Sequence, residues 1–264
     1  MAYLNIFPRH PAPEPSGDMV VLTDTVFYRY ETNLADMRTD GNEREIPIKV
    51  WYPEGAEAKH HPLLIFSPGS FGGAESNETL YLELASRGYV VMGISHPYHS
   101  FSSKMSDGRT IRVDWGFLWS VVTSEGVKNM ESNLASLREW TQVRIDDINV
   151  ILDRLLDSQV DSVYESLIDT ERIVLSGHSL GGAAALTVGR DRSEEIRAMV
   201  ILEAPFSGDI IGIEGDQYVF TNEEYPLPVL HVYSDSSFTT LDEIATYGMN
   251  VRLLESDNPM YVNK

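Results

Sequence analysis

Gly177-His178-Ser179-Leu180-Gly181 is the stretch of this chain best equipped for covalent chemistry. It follows Ile173-Val174-Leu175, a short apolar run suited to a strand buried on both faces. It precedes Ala183-Ala184-Ala185-Leu186, a run of strong helix formers. G-x-S-x-G at a strand-to-helix turn is the nucleophile elbow. Side chains at Gly177 and Gly181 would crowd so tight a turn, which accounts for the glycines. The following helix aims free N–H groups at the serine, where they favour negative charge. The plainer reading is a glycine-rich turn with an incidental serine; the strand before it and the helix after it favour the elbow.

A serine nucleophile needs a base, an acid that orients the base, and N–H donors for the oxyanion. The N–H of Leu180 is one expected donor, and the second is expected from the loop Ser67-Pro68-Gly69-Ser70-Phe71-Gly72-Gly73. Ser70 is the candidate there, with Phe71 in reserve. Candidate pocket residues are His96 and His99, which flank Pro97-Tyr98 past a strand end, together with His178 beside the serine and Trp115. The plainer reading has one of the first two bonded to its own loop. His231 lies within a strand and reads as a satisfied core residue, and His10 lies near the N-terminus. A zinc site from His60, His61, His96 and His99 lacks ligand spacing, so no metal and no cofactor are expected. Trp115, Phe117 and Trp119 read equally as a lid over an acyl pocket or as core filling.

These residues need elements to position them. Met19–Tyr30 and Ile46–Pro53 read as an antiparallel pair at a sheet edge. Leu63–Phe66, Tyr89–Ile94, Ala198–Leu202 and Val229–Tyr233 read as buried strands. Helical spacing spans Thr79–Arg87 and Asn129–Leu156, and a shorter helix over Leu241–Tyr247 is expected to stop at Gly248. Ser100 to about Val127 reads as irregular and aromatic. The alternation predicts an α/β architecture, a mostly parallel sheet with helices on both faces. Sites in such sheets lie at the carboxyl ends of strands, where Ser70, Ser179, Glu203 and Asp235 all fall. The expected organisation is an extended arm over residues 1–18 and one domain over 19–264, with a cap-like insertion at about 98–128.

The chain has 264 residues and a formal charge of −20, which argues against nucleic acid or an anionic membrane as partner. The absence of cysteine excludes disulfides, thiolate metal sites and a cysteine nucleophile. No apolar run approaches the roughly 18 residues a membrane span needs. Met1–Gly17 carries Pro8, Pro11, Pro13 and Pro15 and no apolar segment of the kind a secretory signal has. Compartment and oligomeric state stay open.

The chain resembles the α/β-hydrolase fold, and within it the platelet-activating-factor acetylhydrolases and related bacterial esterases. Ile48-Lys49-Val50-Trp51-Tyr52-Pro53, Phe66-Ser67-Pro68-Gly69, Leu84–Val91, Gly177–Gly182 and Leu202-Glu203-Ala204 carry the likeness, which runs from about Ile46 to Tyr233. Pro68 replaces the histidine usual before the oxyanion glycine, and Glu203 stands where that family tends to have aspartate. The resemblance implies a serine ester hydrolase for a small or short-acyl ester, acting through an acyl-enzyme on Ser179. The alternatives are a non-catalytic binding module on the same fold and an inactive, truncated hydrolase. For the acid, the position usual in the fold, counted from Pro228, falls on Ser237, which cannot serve. The acetylhydrolase-like position is Glu203, and a carboxylate ending an apolar strand is costly without a partner, so Glu203 is favoured and Asp235 is the reserve. The implied order of serine, acid and histidine places the base after the last strand, yet no histidine follows His231. Met260–Lys264 reads as that strand just beginning. The expectation is a chain that stops short of its terminal strand, histidine loop and base. A base recruited from His96 or His99, and a loss of activity, stand as alternatives to it.

Overall fold

The structure is a computed structural model that describes residues 13–55, 60–124, 129–157 and 162–264. Strands β1 (Val21–Glu31) and β2 (Glu43–Pro53) pair antiparallel in unbroken register from Val21 opposite Pro53 to Glu31 opposite Glu43. Strand β3 (His61–Ser67), helix α1 (Glu78–Ser86) and strand β4 (Val90–Ile94) form a crossover unit with parallel strands. Gly88, at φ +94°, turns the chain out of α1 and into β4. Residues 1–12 of the expected arm lie outside the described residues. Just after them, Ser16 bonds Glu83 on α1, and the Gly17 N–H donates to Ser86 Oγ.

The stretch read as irregular is ordered for much of its length. A hairpin of β5 (Ser102–Lys104) and β6 (Thr110–Arg112) turns at Gly108, φ +85°. Helix α2 (Trp115–Ser124) follows, opened by Asp114, whose carboxylate accepts the Phe117 N–H. Strands of three residues leave too little periodicity to read. Residues 125–128 of the expected insertion lie outside the described residues. Helix α3 (Met130–Leu156) is capped by Asn129, and the short helix α4 (Val163–Leu167) leads into β7 (Ile168–His178). Helix α5 (Ser179–Asp191) begins on the residue after β7 ends, so the elbow has no loop.

Strand β8 (Ile196–Leu202) is followed by a hairpin that the sequence did not announce, β9 (Ile210–Glu214) with β10 (Gln217–Phe220), turning at Gly215, φ +64°. Strand β11 (Val229–Val232) leads to α6 (Asp235–Phe238). The helix expected over Leu241–Tyr247 is instead two single turns of 3₁₀ helix, separated by extended backbone at Ile244. Gly248 opens helix α7 (Gly248–Leu254) rather than stopping a helix. A Cβ on Gly248 would stand 2.7 Å from the Phe220 ring, so the close approach, not a C-cap, requires glycine. Tyr261–Asn263 forms β12, parallel to β11.

The eight-stranded sheet has the order β1-β2-β4-β3-β7-β8-β11-β12, antiparallel at β1, β2 and β4 and parallel beyond. Helices α3 and α5 pack on the face that carries Leu63, Ile65, Met92 and Leu175. Helix α1 covers Trp51, Leu64, Phe66 and Val91 on the opposite face, with the Tyr81 ring 4.8 Å from that of Trp51. Along that second face Val174 and Leu202 are half-buried, and Leu230 and Val262 are exposed. The architecture is the expected mostly parallel α/β sheet with helices on both faces.

Candidate active site

Four non-glycine residues have positive φ among the described residues: Phe71 (69°), Tyr98 (69°), Ser179 (50°) and Glu203 (45°). Each lies just past the carboxyl end of a parallel strand, respectively β3, β4, β7 and β8. Backbone held in this costly region clusters where function demands it. At Ser179 it is the strain of the elbow, and the glycines around it are explained by distance. A Cβ on Gly181 would stand 2.2 Å from the carbonyl oxygens of Ser67 and Pro68. A Cβ on Gly69 would stand 2.7 Å from His178 Nδ1 and 3.2 Å from Ser179 Cβ. The loop after β3 therefore lies directly against Ser179.

The Leu180 N–H is in the first turn of α5 and has no intrahelical acceptor. In the facing loop the Phe71 N–H is taken by the His99 carbonyl at 3.0 Å, whereas the Ser70 N–H has no partner among the described residues. Phe71 is thus unsuited to its reserve role. Ser179 and Ser70 are both half-buried.

Glu203 accepts the Ser234 N–H, and its own N–H donates to the Val232 carbonyl at 2.9 Å. Bonds from Ser234 hold its carboxyl below the usual range, helped by Ser237 and by proximity to His178. Asp235 is exposed at the start of α6, and its carboxylate makes no bond among the described residues. Ser234, the residue that seats the Glu203 carboxylate, went unnoticed in the sequence; the turn cluster Ser234-Asp235-Ser236-Ser237 was its only signal.

The histidines separate cleanly. His96 and His99 are fully buried and do not line an open pocket. His96 Nδ1 donates to Asp147 Oδ2 at 2.8 Å, so its Nε2 accepts the Ser67 hydroxyl at 2.9 Å. Burial pushes His96 down to about 4 in spite of the Asp147 bond. His99 stacks on Phe117 at 3.8 Å, and its Nδ1 accepts from Arg144; burial and that guanidinium push it down to about 2. His231 Nε2 accepts the Ala204 N–H at 3.3 Å, and burial lowers it to about 3. His178 is half-buried beside the serine, with burial lowering its affinity for a proton and Glu203 opposing. No described histidine bonds Ser179 Oγ. His61, at the amino end of β3, bonds the Gly88 carbonyl, whereas His96 and His99 lie past the carboxyl end of β4.

The sequence also missed a buried ionic network behind the loop that follows β3. Arg44 grips both oxygens of Asp147 at 2.8 Å, Tyr30 donates to one of them at 2.7 Å, and His96 takes the other. Both side chains of the ion pair are fully buried. Arg44 in turn donates to the Met37 and Pro97 carbonyls. Charged positions in the buried stripe of α3, Arg144 and Asp147, were the available signal. A cleft of about 1030 Å³ opens beside the loop and is lined by Phe27, Lys49, Phe71, Phe101, Lys104 and Met105. None of His96, His99, His178 and Trp115 lines it. Trp115 and Trp119 are exposed, and Phe117 is buried.

No protein-family model matches the chain. It is 23% identical over 202 residues to a platelet-activating factor acetylhydrolase of Bos taurus, covering 69% of this chain and 45% of that protein. It is 27% identical over 156 residues to one of Gallus gallus, covering 52% and 36%. It is 25% identical over 142 residues to a probable 1-alkyl-2-acetylglycerophosphocholine esterase of Arthroderma benhamiae, covering 53% and 31%. The chain spans less than half the length of these curated relatives. A ferulic acid esterase from Streptomyces cinnamoneus has a similar structure, with a TM-score of 0.62 at 20% identity, covering 91% of this chain and 71% of that one. The fold is the α/β-hydrolase fold, and the chain is related to esterases that carry it. Among the described residues no helix is long and apolar enough to cross a membrane.

Proposed function

We propose that the chain is a serine ester hydrolase for a small or short-acyl ester, working through an acyl-enzyme. The observation that carries this is Ser179, strained at φ 50° between β7 and α5, with two N–H groups near it that lack partners among the described residues: that of Leu180, next in the chain, and that of Ser70, in the loop packed against it. In the proposed reaction Ser179 Oγ adds to the ester carbonyl carbon. The carbonyl oxygen becomes an oxyanion between the two N–H donors, and the C–O bond then breaks to release the alcohol. Water cleaves the acyl-serine and returns the enzyme. Glu203, held ionised by Ser234, fits the acid that orients the base. His96 and His99 do not fit the base, because Ser67 and Asp147 occupy one and Arg144 holds the other. A histidine able to reach Ser179 Oγ and Glu203 together would complete the triad; no described histidine bonds Ser179 Oγ.

The test is a fluorophosphonate probe on the full chain. Stoichiometric labelling at Ser179, lost in Ser179→Ala, is the expected result. That variant should keep the folded circular-dichroism spectrum and lose ester hydrolysis by about 10³-fold or more. A folded wild-type chain that does not label is a binding module on the same scaffold or a hydrolase without its base, and the reading fails.

A further inference from the structure

Arg144 is a fully buried arginine with no carboxylate partner among the described residues. Asp147, one turn along α3, is saturated by Arg44, Tyr30 and His96. Arg44 and Asp147 cancel, and burial keeps the neighbouring histidines neutral, so one positive charge is left over in the core. Burial and the Arg44 charge lower Arg144 only to about 9, so it stays protonated at neutral pH. A buried charge with no carboxylate bonded to it is costly even with Asp147 one turn away, and its Nε–H has no acceptor among the described residues. A fold seldom keeps such a group for its own stability.

Its remaining bonds say what it does. Nη2 donates to the Gly69 carbonyl at 3.4 Å, and Nη1 donates to His99 Nδ1 at 2.5 Å and to the Trp140 carbonyl one turn back on α3 at 3.4 Å. The Gly69 carbonyl and the Ser70 N–H belong to one peptide unit. In a trans peptide they point in opposite directions, and the chain has no cis bond among its described residues. Arg144, together with the Gly72 N–H that this carbonyl accepts at 3.1 Å, therefore turns the Ser70 N–H away from the Arg144 side of a loop that packs against Ser179. The second tether acts through His99, whose carbonyl accepts the Phe71 N–H at 3.0 Å and fixes the next peptide. A cation on the carbonyl side also polarises the peptide and strengthens its N–H as a donor.

We propose that Arg144 is the positioning residue of the oxyanion hole, aiming and polarising the Ser70 N–H through the Gly69 carbonyl. This rests on the ester hydrolase reading. Its role is confined to the step in which negative charge builds on the reacting oxygen, so it should affect the reaction rate and not the encounter complex.

The experiment measures the rate of fluorophosphonate labelling at Ser179 against probe concentration, which separates the limiting rate from the binding constant. In labelling, Oγ forms a bond to phosphorus and gives up its proton to solvent or a neighbouring base, the P–F bond breaks to release fluoride, and the phosphoryl oxygen carries the developing charge. Arg144→Met, near in volume, should lower the limiting rate by roughly 10²-fold or more, as loss of one oxyanion donor does, with the binding constant within about threefold. Its melting temperature should be unchanged or higher, because an unpaired charge has left the core. A merely structural arginine would lower the melting temperature and leave the limiting rate of the folded fraction alone. Arg144→Lys keeps the charge but not the fork, and should fall between wild type and Arg144→Met; it also serves should the methionine variant not fold. Wild-type labelling matched by both variants within threefold overturns this inference alone. A wild-type Ser179 that does not label overturns the ester hydrolase reading, and this inference with it.

Discussion

Glu203 combines a positive φ with a carboxylate at the end of an apolar strand, and two features of the site depend on that. The strained backbone carries the side chain off the strand, and Ser234 then holds the carboxylate ionised. Glu203→Gln keeps the shape and an acceptor for the Ser234 N–H while removing the charge. With p-nitrophenyl acetate as substrate, kcat/KM should fall by about 10²- to 10⁴-fold in Glu203→Gln. Asp235→Asn, a change at an exposed side chain, should stay within about threefold. The opposite ranking would move the acid to Asp235. Ser179 and Glu203 were both legible in the sequence, because each is a local contradiction: a serine ringed by glycines, and a charge closing an apolar run. Arg144 and Asp147 were not legible as a network. Arg44 and Asp147 stand 103 positions apart, and Asp147 and His96 stand 51 apart, so nothing local signals that they meet.

Among the elements, α2 decides between the two readings of the aromatic stretch, and it divides them residue by residue. Phe117 faces inward, stacked on His99 and 5.6 Å and 5.9 Å from the Phe71 and Trp140 rings. Trp115 and Trp119 face out, 79% and 68% exposed. Core filling holds for the first, and only the other two are free to act as a lid. Phe117→Ala should cost about 3 kcal/mol in urea unfolding and slow labelling of Ser179, since Phe71 and His99 lose the ring that locates them. Trp119→Ala should change stability by less than about 0.5 kcal/mol. A larger loss from Trp119→Ala than from Phe117→Ala would mean that the helix packs by its other face. The helix could not be read from the sequence because its apolar residues lie all around it, from Trp115 through Phe117, Leu118 and Trp119 to Val122, so no stripe emerges. By contrast β3, β4, β7, β8 and β11 were legible, since strands buried on both faces announce themselves as unbroken apolar runs.

For the molecule as a whole, the order of the sheet followed from the alternation of strands and helices, but its response to pH depends on burial that no sequence pattern displays. Three histidines, His96, His99 and His231, are buried and held neutral, at about 4, 2 and 3. Unfolded, each takes up a proton near pH 6.5. As pH falls through 6.5 the unfolded state binds more protons than the folded one, so stability present above pH 6.5 is lost progressively toward the folded values. Each ring should forfeit roughly 2 kcal/mol by pH 5, and three together about 5 to 6 kcal/mol, a large part of a typical stability. The charged groups facing them, Asp147, Arg44 and Arg144 around the first two and Glu203 near the third, keep their charge across this interval, so they do not offset the loss. An opposing effect comes from the formal charge of −20, whose self-repulsion eases on acidification. Exposed carboxylates, however, titrate mostly below about pH 5, so between pH 7 and 5 the histidines dominate. Urea unfolding at constant ionic strength should therefore show stability falling steeply from pH 7 to 5, on the acid side of neutrality but well above the carboxylate range. His231→Gln, whose side-chain oxygen can still accept the Ala204 N–H, should remove about a third of that slope. A flat stability profile between pH 7 and 5 would show that these rings reach solvent in the folded protein, and the packing of His96 against Ser67 and Asp147 would have to be redrawn.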